Sequence, residues 1–255
     1  MPLELLEGWR LAVGTLTVFP VRPPRRVDRH TARTAVLVAP TAAVLLGGTM
    51  GVVGFVGRAL GLPALVSGFL AVGVLALGTR CLHLDGLSDT VDGLAASYDR
   101  ARALEVMKSG TAGPAGVVAL VIVIGVQATA LSALMVTPAG AVLASLAVVV
   151  SRAALVICCA RGVPSARPGG LGEVYAGSLP RTFATVVWLL AGLALAAVCE
   201  WAGLPLWRGV LAAALALAVV ALLLRRVVTR IGGVTGDVFG AAIELALASL
   251  LVALA

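Results

Sequence analysis

The chain has 255 residues, 60% of them hydrophobic and only 12% charged, with a mean hydropathy of +1.09. A soluble globular domain is about half apolar and about a quarter charged, so the composition excludes one and points to an all-α bundle of membrane-spanning helices. The net charge of +7 does not argue for nucleic acid, because the basic residues are dispersed among loops with no nucleic-acid-binding motif beside them.

At the N-terminus, Leu3, Leu6, Trp9, Leu11 and Val13 predict an amphipathic helix lying at the membrane interface. A cleaved signal peptide is a poor reading, since Glu4 and Glu7 stand where a basic region belongs and no small-residue cleavage site follows. Beyond it, seven spanning helices are expected at roughly 34–57, 63–82, 115–136, 140–160, 183–203, 206–224 and 236–255, each run being near the ~20 apolar residues that cross hydrocarbon. Gly61–Pro63, Thr137–Pro138, Pro164–Gly172 and Leu204–Pro205 supply turn residues between them. The seven helices use the whole chain, so one integral membrane domain is expected over 1–255. Gly47-x-x-x-Gly51 in the first span reads as a close helix-packing face. Cys81, Cys158, Cys159 and Cys199 lack metal or redox spacing and read as small apolar packers.

Loop charge supports this division. The loops at 21–33, 83–113, 161–182 and 225–235 hold 5, 3, 3 and 3 basic residues, 14 in all, whereas the opposite loops hold only Arg58 and Arg208. Cytoplasmic loops collect Lys and Arg, which places the N-terminus and the four basic loops inside and the C-terminus outside.

The chemistry sits among twelve acidic residues. Asp85, Asp89 and Asp92 recur at i, i+4 and i+7 in Cys81-Leu-His-Leu-Asp-Gly-Leu-Ser-Asp-Thr-Val-Asp-Gly93. At about 100° per residue they share one helix stripe. No basic residue lies between 81 and 99 to neutralise them, so a hard divalent cation is the simplest partner. A solvated acidic face would serve as a plain structural explanation, but the segment is rich in Leu, Val and Gly and continues an apolar span. Asp237 and Glu244 form a second pair seven residues apart, with Gly240 between them. A carboxylate within an apolar helix is costly and marks a functional candidate; its structural alternative is a partner for Arg152, the only charge in the fourth span.

Lys108-Ser-Gly-Thr-Ala-Gly-Pro-Ala-Gly116 enters the third span. Its glycines permit close backbone approach, and a helix start offers N–H groups to phosphate. Arg161, Arg167 and Arg181 would also meet an anionic substrate, although topology already accounts for basic residues there. His30 reads as solvated. His83 is a base or ligand candidate, yet on a regular helix it points away from the aspartate stripe.

Taken together, several stretches resemble the cobalamin synthase (adenosylcobinamide-GDP ribazoletransferase) family. They are Leu16-Thr-Val-Phe-Pro-Val21, His83-Leu-Asp-Gly-Leu-Ser-Asp-Thr-Val-Asp-Gly-Leu94, Met107-Lys108 with Gly113-x-x-Gly116, Ser151-Arg152, Arg167-Pro-Gly-Gly-Leu-Gly172 and Gly236-Asp-Val-Phe-Gly-Ala-Ala-Ile-Glu-Leu245. They run in family order along most of the chain. The resemblance implies a Mg²⁺-dependent transfer in which a ribose hydroxyl of α-ribazole, or of its 5′-phosphate, attacks the cobinamide-linked phosphate of adenosylcobinamide-GDP and GMP leaves. The physical requirements of that displacement point to Asp85, Asp89, Asp92 and Asp237 on metal, with Asp89 also part of the catalytic group, and Glu244 or His83 as base. Lys108, Ser109, Thr111, Gly113, Arg152 and Arg167 are then expected on substrate. The other partner implied is membrane lipid; a homo-oligomer is left open.

The family is similar in turn to the CDP-alcohol phosphotransferases, with Asp89-x-x-Asp92-Gly93-x-x-Ala96 matching the first half of their motif. Ser97 stands where those enzymes carry Arg, and no second Asp-x-x-x-Asp follows. A lipid-making CDP-alcohol phosphatidyltransferase is therefore the competing enzyme. An ion-coupled transporter is the competing non-enzyme, but it would place its acids near the midplane rather than at a helix end.

Overall fold

In a computed structural model, which describes residues 3–255, the chain forms thirteen helices and, among the described residues, no strand beyond two isolated bridges. Six stretches are long and apolar enough to cross a membrane, and a seventh is a bent pair. The protein is thus a polytopic membrane helix bundle.

The N-terminal amphipathic pattern forms α1 (Leu3–Leu16), whose Leu11 and Val13 are buried while Leu3 is exposed. α2 (Arg29–Ala42) starts at Asp28, whose carboxylate accepts the Thr31 N–H at 2.8 Å, a side-chain cap for an otherwise orphan donor. α3 (Val44–Ala59) extends the same span to 31 residues. α1 and α2 pack as a hairpin, tied where Glu7 accepts the Arg25 N–H at 2.6 Å and pairs with Arg10 at 2.7 Å. These partners hold the Glu7 carboxyl below the usual carboxylate range.

α4 (Ala64–Gly78) and α5 (Leu82–Ala96) are the bent pair, meeting at 91°. The apolar run predicted over 63–82 therefore does not continue straight into the acidic segment. Two consecutive non-glycine residues, Arg80 (φ 54°) and Cys81 (φ 57°), turn the chain through the left-handed region, a local strain held only by surrounding structure. The staples are visible: Val18 N–H donates to the Gly78 carbonyl at 2.7 Å, and the Arg80 guanidinium donates to the Gly14 carbonyl at 2.9 Å. Both fix the end of α1 to the bend. Cys81 is exposed there, unlike the other three cysteines, which are buried as packers.

α6 (Arg100–Val106) leads to α7 (Pro114–Leu134), and α8 (Pro138–Ser151) breaks before α9 (Ala154–Cys158). α10 (Leu171–Tyr175) lies in the following loop, before α11 (Arg181–Trp201), α12 (Leu206–Ile231) and α13 (Gly236–Leu254). α12 outruns its predicted end at 224, because Arg225 and Arg226 end a hydrophobic window but not a helix; Gly232 at φ 81° ends it. Within the apolar 18-residue windows of the 138–158 span and of α13, 72% of the residues are buried, against 33% in the windows of α11 and α12. The former are central, and the latter expose Leu189, Leu193, Val210 and Leu222 outward. An apolar surface of that extent is what a lipid-facing belt requires. Gly47 and Gly51 do form a close packing face: a Cβ on Gly47 would stand 2.6 Å from the Ser145 carbonyl of α8.

The four basic loops meet at one end of the bundle. Arg100 donates to the Ala166 carbonyl at 2.8 Å, and Arg230 donates to the Ser97 carbonyl at 2.6 Å while stacking over Tyr98. The loop before α10 is pinned to the start of α13 by Ala166 N–H to Val234 carbonyl (3.0 Å) and Val234 N–H to Pro164 carbonyl (2.9 Å).

Candidate active site

Three helices assemble the acidic groups, and glycines let them do so. α5 crosses α13 backbone to backbone. A Cβ on Gly86 would lie 2.6 Å from the Asp237 carbonyl oxygen, and one on Gly240 would lie 3.0 Å from the His83 backbone. Asp237, at the first turn of α13, is thereby set beside the aspartates of α5. The charges of Asp85, Asp237 and Asp92 all bear on Asp89.

Asp92 is buried and doubly committed. Its two carboxylate oxygens accept the Gly113 N–H at 2.7 Å and the Gly116 N–H at 2.8 Å. An anion at a helix N-terminus is favoured by both the orphan donors and the dipole, and here the anion is part of the chain. Two of the N–H groups at this helix entry, those of Gly113 and Gly116, are therefore taken by Asp92. A Cβ on Gly116 would collide with both Asp92 and Ser88, which explains a glycine at that position. Lys108, Ser109 and Thr111 are exposed just before this helix start, and Ser109 donates to the Val106 carbonyl at 2.8 Å.

A cavity of about 180 Å³ opens beside the acidic crossing. His83, Asp85 and Asp237 line one side of it, and the remaining wall is mostly apolar, drawn from α1, α2, α9, α10 and α13. The Arg167-Pro-Gly-Gly-Leu-Gly172 loop covers the Asp237 end. Arg167 Nη2 lies 3.8 Å from Asp237 Oδ2, and its buried Nη1 has no hydrogen-bond partner among the described residues. Thr235 caps α13 and donates to Asp237 Oδ2 at 3.1 Å.

Behind His83 lies a second polar cluster. The His83 ring is buried, and its Nδ1 is 3.7 Å from Glu244 Oε1. Neither ring nitrogen has a hydrogen-bond partner among the described residues. Gln127 of α7 donates to Glu244 Oε2 at 2.7 Å. Sequence reasoning passed over Gln127, although a lone amide in a 21-residue apolar helix was a signal. Arg152, expected on substrate, is 1% exposed; its Nη1 donates to the Val148 carbonyl (3.0 Å) and Ser151 Oγ (2.8 Å), and its buried Nε has no hydrogen-bond partner among the described residues. Among the described residues no ion pair joins it to Glu244.

Among the described residues, no three His, Cys or acidic side chains converge closely enough to form a ready-made metal site. The donor chemistry nonetheless suits a hard cation. Asp85, Asp89 and Asp237 offer only carboxylate oxygens, and the nearest cationic group given by the geometry is Arg167 at the Asp237 edge.

The sequence pattern of the family described as cobalamin-5-phosphate synthase matches residues 8–255. The chain belongs to that family. Among curated relatives, the adenosylcobinamide-GDP ribazoletransferase of Nocardioides sp. is 55% identical over 247 residues, which covers 97% of each chain. The enzyme of the same name from Frankia casuarinae is 38% identical, over 98% of this chain and 95% of its own. That from Pseudomonas aeruginosa PAO1 is 37% identical, over 99% of both. No solved structure matches. Membership of the cobalamin-5-phosphate synthase family agrees with the resemblance carried by the acidic motifs.

Proposed function

We propose that this chain joins adenosylcobinamide-GDP to α-ribazole or its 5′-phosphate, giving adenosylcobalamin or its 5′-phosphate and GMP. The observation that carries this reading is the cavity at which Asp85 of α5, Asp237 of α13 and His83 come together, in a chain matched to the family nearly end to end.

The ribose hydroxyl oxygen forms a bond to the cobinamide-linked phosphorus, and the phosphorus–oxygen bond to GMP breaks. His83 is among the residues lining the cavity, and Glu244 lies beside its ring. A ring nitrogen of His83 therefore takes the hydroxyl proton, and Glu244, fixed by Gln127, orients the ring and offsets its charge. Arg167 meets the diphosphate in this reading, which its buried Nη1, without a hydrogen-bond partner among the described residues, supports. Asp85, Asp89 and Asp237 would hold Mg²⁺. When bound, that ion supplies neutralisation of the charge that develops on the phosphate oxygens. Asp92 acts one step back, fixing α7 against α5.

The end of the bundle that gathers the four basic loops faces the cytoplasm in this reading, by the positive-inside rule. The test is incubation of the purified chain with adenosylcobinamide-GDP, α-ribazole and Mg²⁺, with and without EDTA. A corrinoid product and GMP formed only without chelator are expected. Release of CMP from CDP-diacylglycerol, with no reaction of the corrinoid, would replace this reading with the lipid one.

A further inference from the structure

We infer that the cavity between α1, α2, α10 and α13 seats the dimethylbenzimidazole base of the acceptor α-ribazole, and that α1 is the outer wall of this base pocket. The inference rests on the transferase reading above and deepens it by dividing the site between the two substrates.

Three observations favour this occupant. The first is chemical. Leu16, Val36, Leu155 and Ile243 present hydrocarbon, and Tyr175 meets Phe239 edge to face at 5.8 Å between ring centroids. A small pocket with one polar side and aromatic walls suits a planar, uncharged ring. Guanine, the base of the other substrate, would leave several donors and acceptors unpaired against the same wall. The hydroxyl of Thr15, one of few polar groups away from the acidic side, already donates to the Leu11 carbonyl at 2.7 Å. The second is size. A cavity of about 180 Å³ is below the ~300 Å³ and upward that hold a whole drug-sized ligand, so it takes one ring system and excludes a corrin. The third is position. The polar side carries His83, Asp85 and Asp237, so a ribose attached to a base in this cavity presents its hydroxyl to the groups assigned to proton transfer and metal.

The wall is also built to stay. The Val18–Gly78 and Arg80–Gly14 hydrogen bonds hold the end of α1 over the bend that starts α5. The N-terminal helix is in this way a substrate-binding element.

The test uses the full chain in detergent, with both Michaelis constants measured for the unaltered protein, for Thr15→Trp and for Val36→Phe. Each variant narrows the cavity from a helix that carries none of the catalytic groups, and thermal melting checks that it is folded. The expected result is a KM for α-ribazole raised about tenfold or more, with the KM for adenosylcobinamide-GDP within about twofold of the unaltered value. Free dimethylbenzimidazole should inhibit the unaltered chain competitively against α-ribazole, which needs no variant. An unchanged α-ribazole KM in both folded variants overturns the assignment, as does inhibition competitive with adenosylcobinamide-GDP or no inhibition by the free base. An unaltered chain that makes no cobalamin overturns the transferase reading itself, an outcome distinct from failure of the pocket.

Discussion

Gly86 of α5 and Asp237 of α13 touch through their backbones: a Cβ at position 86 would come within 2.6 Å of the Asp237 carbonyl oxygen and 3.0 Å of its Cα. Asp237 reaches the α5 aspartates because residue 86 has no side chain. Gly86→Ala should wedge the helices apart and carry Asp237 with them. A shift on the order of 1 Å in a catalytic constellation costs about a hundredfold in rate, so turnover should fall about ten- to a hundredfold while the protein still inserts. Gly240→Ala should act similarly from the other side, against the His83 backbone. Unimpaired turnover in both variants would mean that the crossing does not set the site geometry.

The Arg167 guanidinium, 3.8 Å from Asp237, tests the assignment of the diphosphate. Arg167→Ala should raise the KM for adenosylcobinamide-GDP about tenfold, the scale of a lost charge-assisted hydrogen bond, and should leave the KM for α-ribazole near its original value. Equal effects on the two substrates would move Arg167 out of phosphate contact.

His83 and Glu244 should behave as one unit, since Glu244 acts through the ring at 3.7 Å. His83→Gln and Glu244→Gln are each expected to lower kcat by about a hundredfold, within the range for general base catalysis, with little change in either KM. The double variant should be scarcely slower than the worse single one. Glu244→Gln tests positioning rather than simple stability, because a glutamine keeps the volume of the side chain and an acceptor for Gln127. Multiplicative losses in the double variant would show that the two residues contribute separately.

Much of the bundle was legible because hydropathy and loop charge respond to the membrane at every residue. The spans, the common end of the four basic loops and the Gly47/Gly51 packing face follow from local rules. The right-angle bend at Arg80–Cys81 does not, because nothing in Gly78-Thr-Arg-Cys81 marks two successive left-handed residues; the staples to Gly14 and Val18 lie some sixty residues away. The i, i+4, i+7 stripe correctly grouped Asp85, Asp89 and Asp92 on α5. It could not divide them by role, since that depends on what packs against each turn. Asp85 meets the cavity, while Asp92 meets the start of α7. The surroundings of Arg152 were hidden for the same reason. The family resemblance put it on substrate, whereas in the fold it is buried and its Nη1 donates to the Val148 carbonyl and the Ser151 hydroxyl.

That division gives the sharpest prediction. Asp92 accepts N–H bonds from Gly113 and Gly116 through both oxygens. Asp92→Asn keeps one acceptor but turns an amide NH₂ toward a backbone N–H, so one buried donor loses its partner, at a cost of about 1–3 kcal/mol. Asp92→Asn should therefore melt several degrees lower and lose activity that added Mg²⁺ does not restore. Asp85→Asn and Asp89→Asn should instead lose nearly all turnover without loss of thermal stability, because removing one of several crowded like charges relieves repulsion. High Mg²⁺ should recover part of the rate in the milder of these two variants. Asp99→Asn is the control. Asp99 caps α6 by accepting the Arg102 N–H at 2.8 Å, and asparagine is an equally good cap, so turnover and melting should both be retained. The measurements are thermal melting in detergent and turnover against Mg²⁺ concentration for all four variants. If Asp92→Asn melts with the unaltered protein and is rescued by Mg²⁺, Asp92 is a metal ligand and not the anchor of α7. If Asp85→Asn and Asp89→Asn both turn over normally, the α5 stripe is not the metal site of this enzyme.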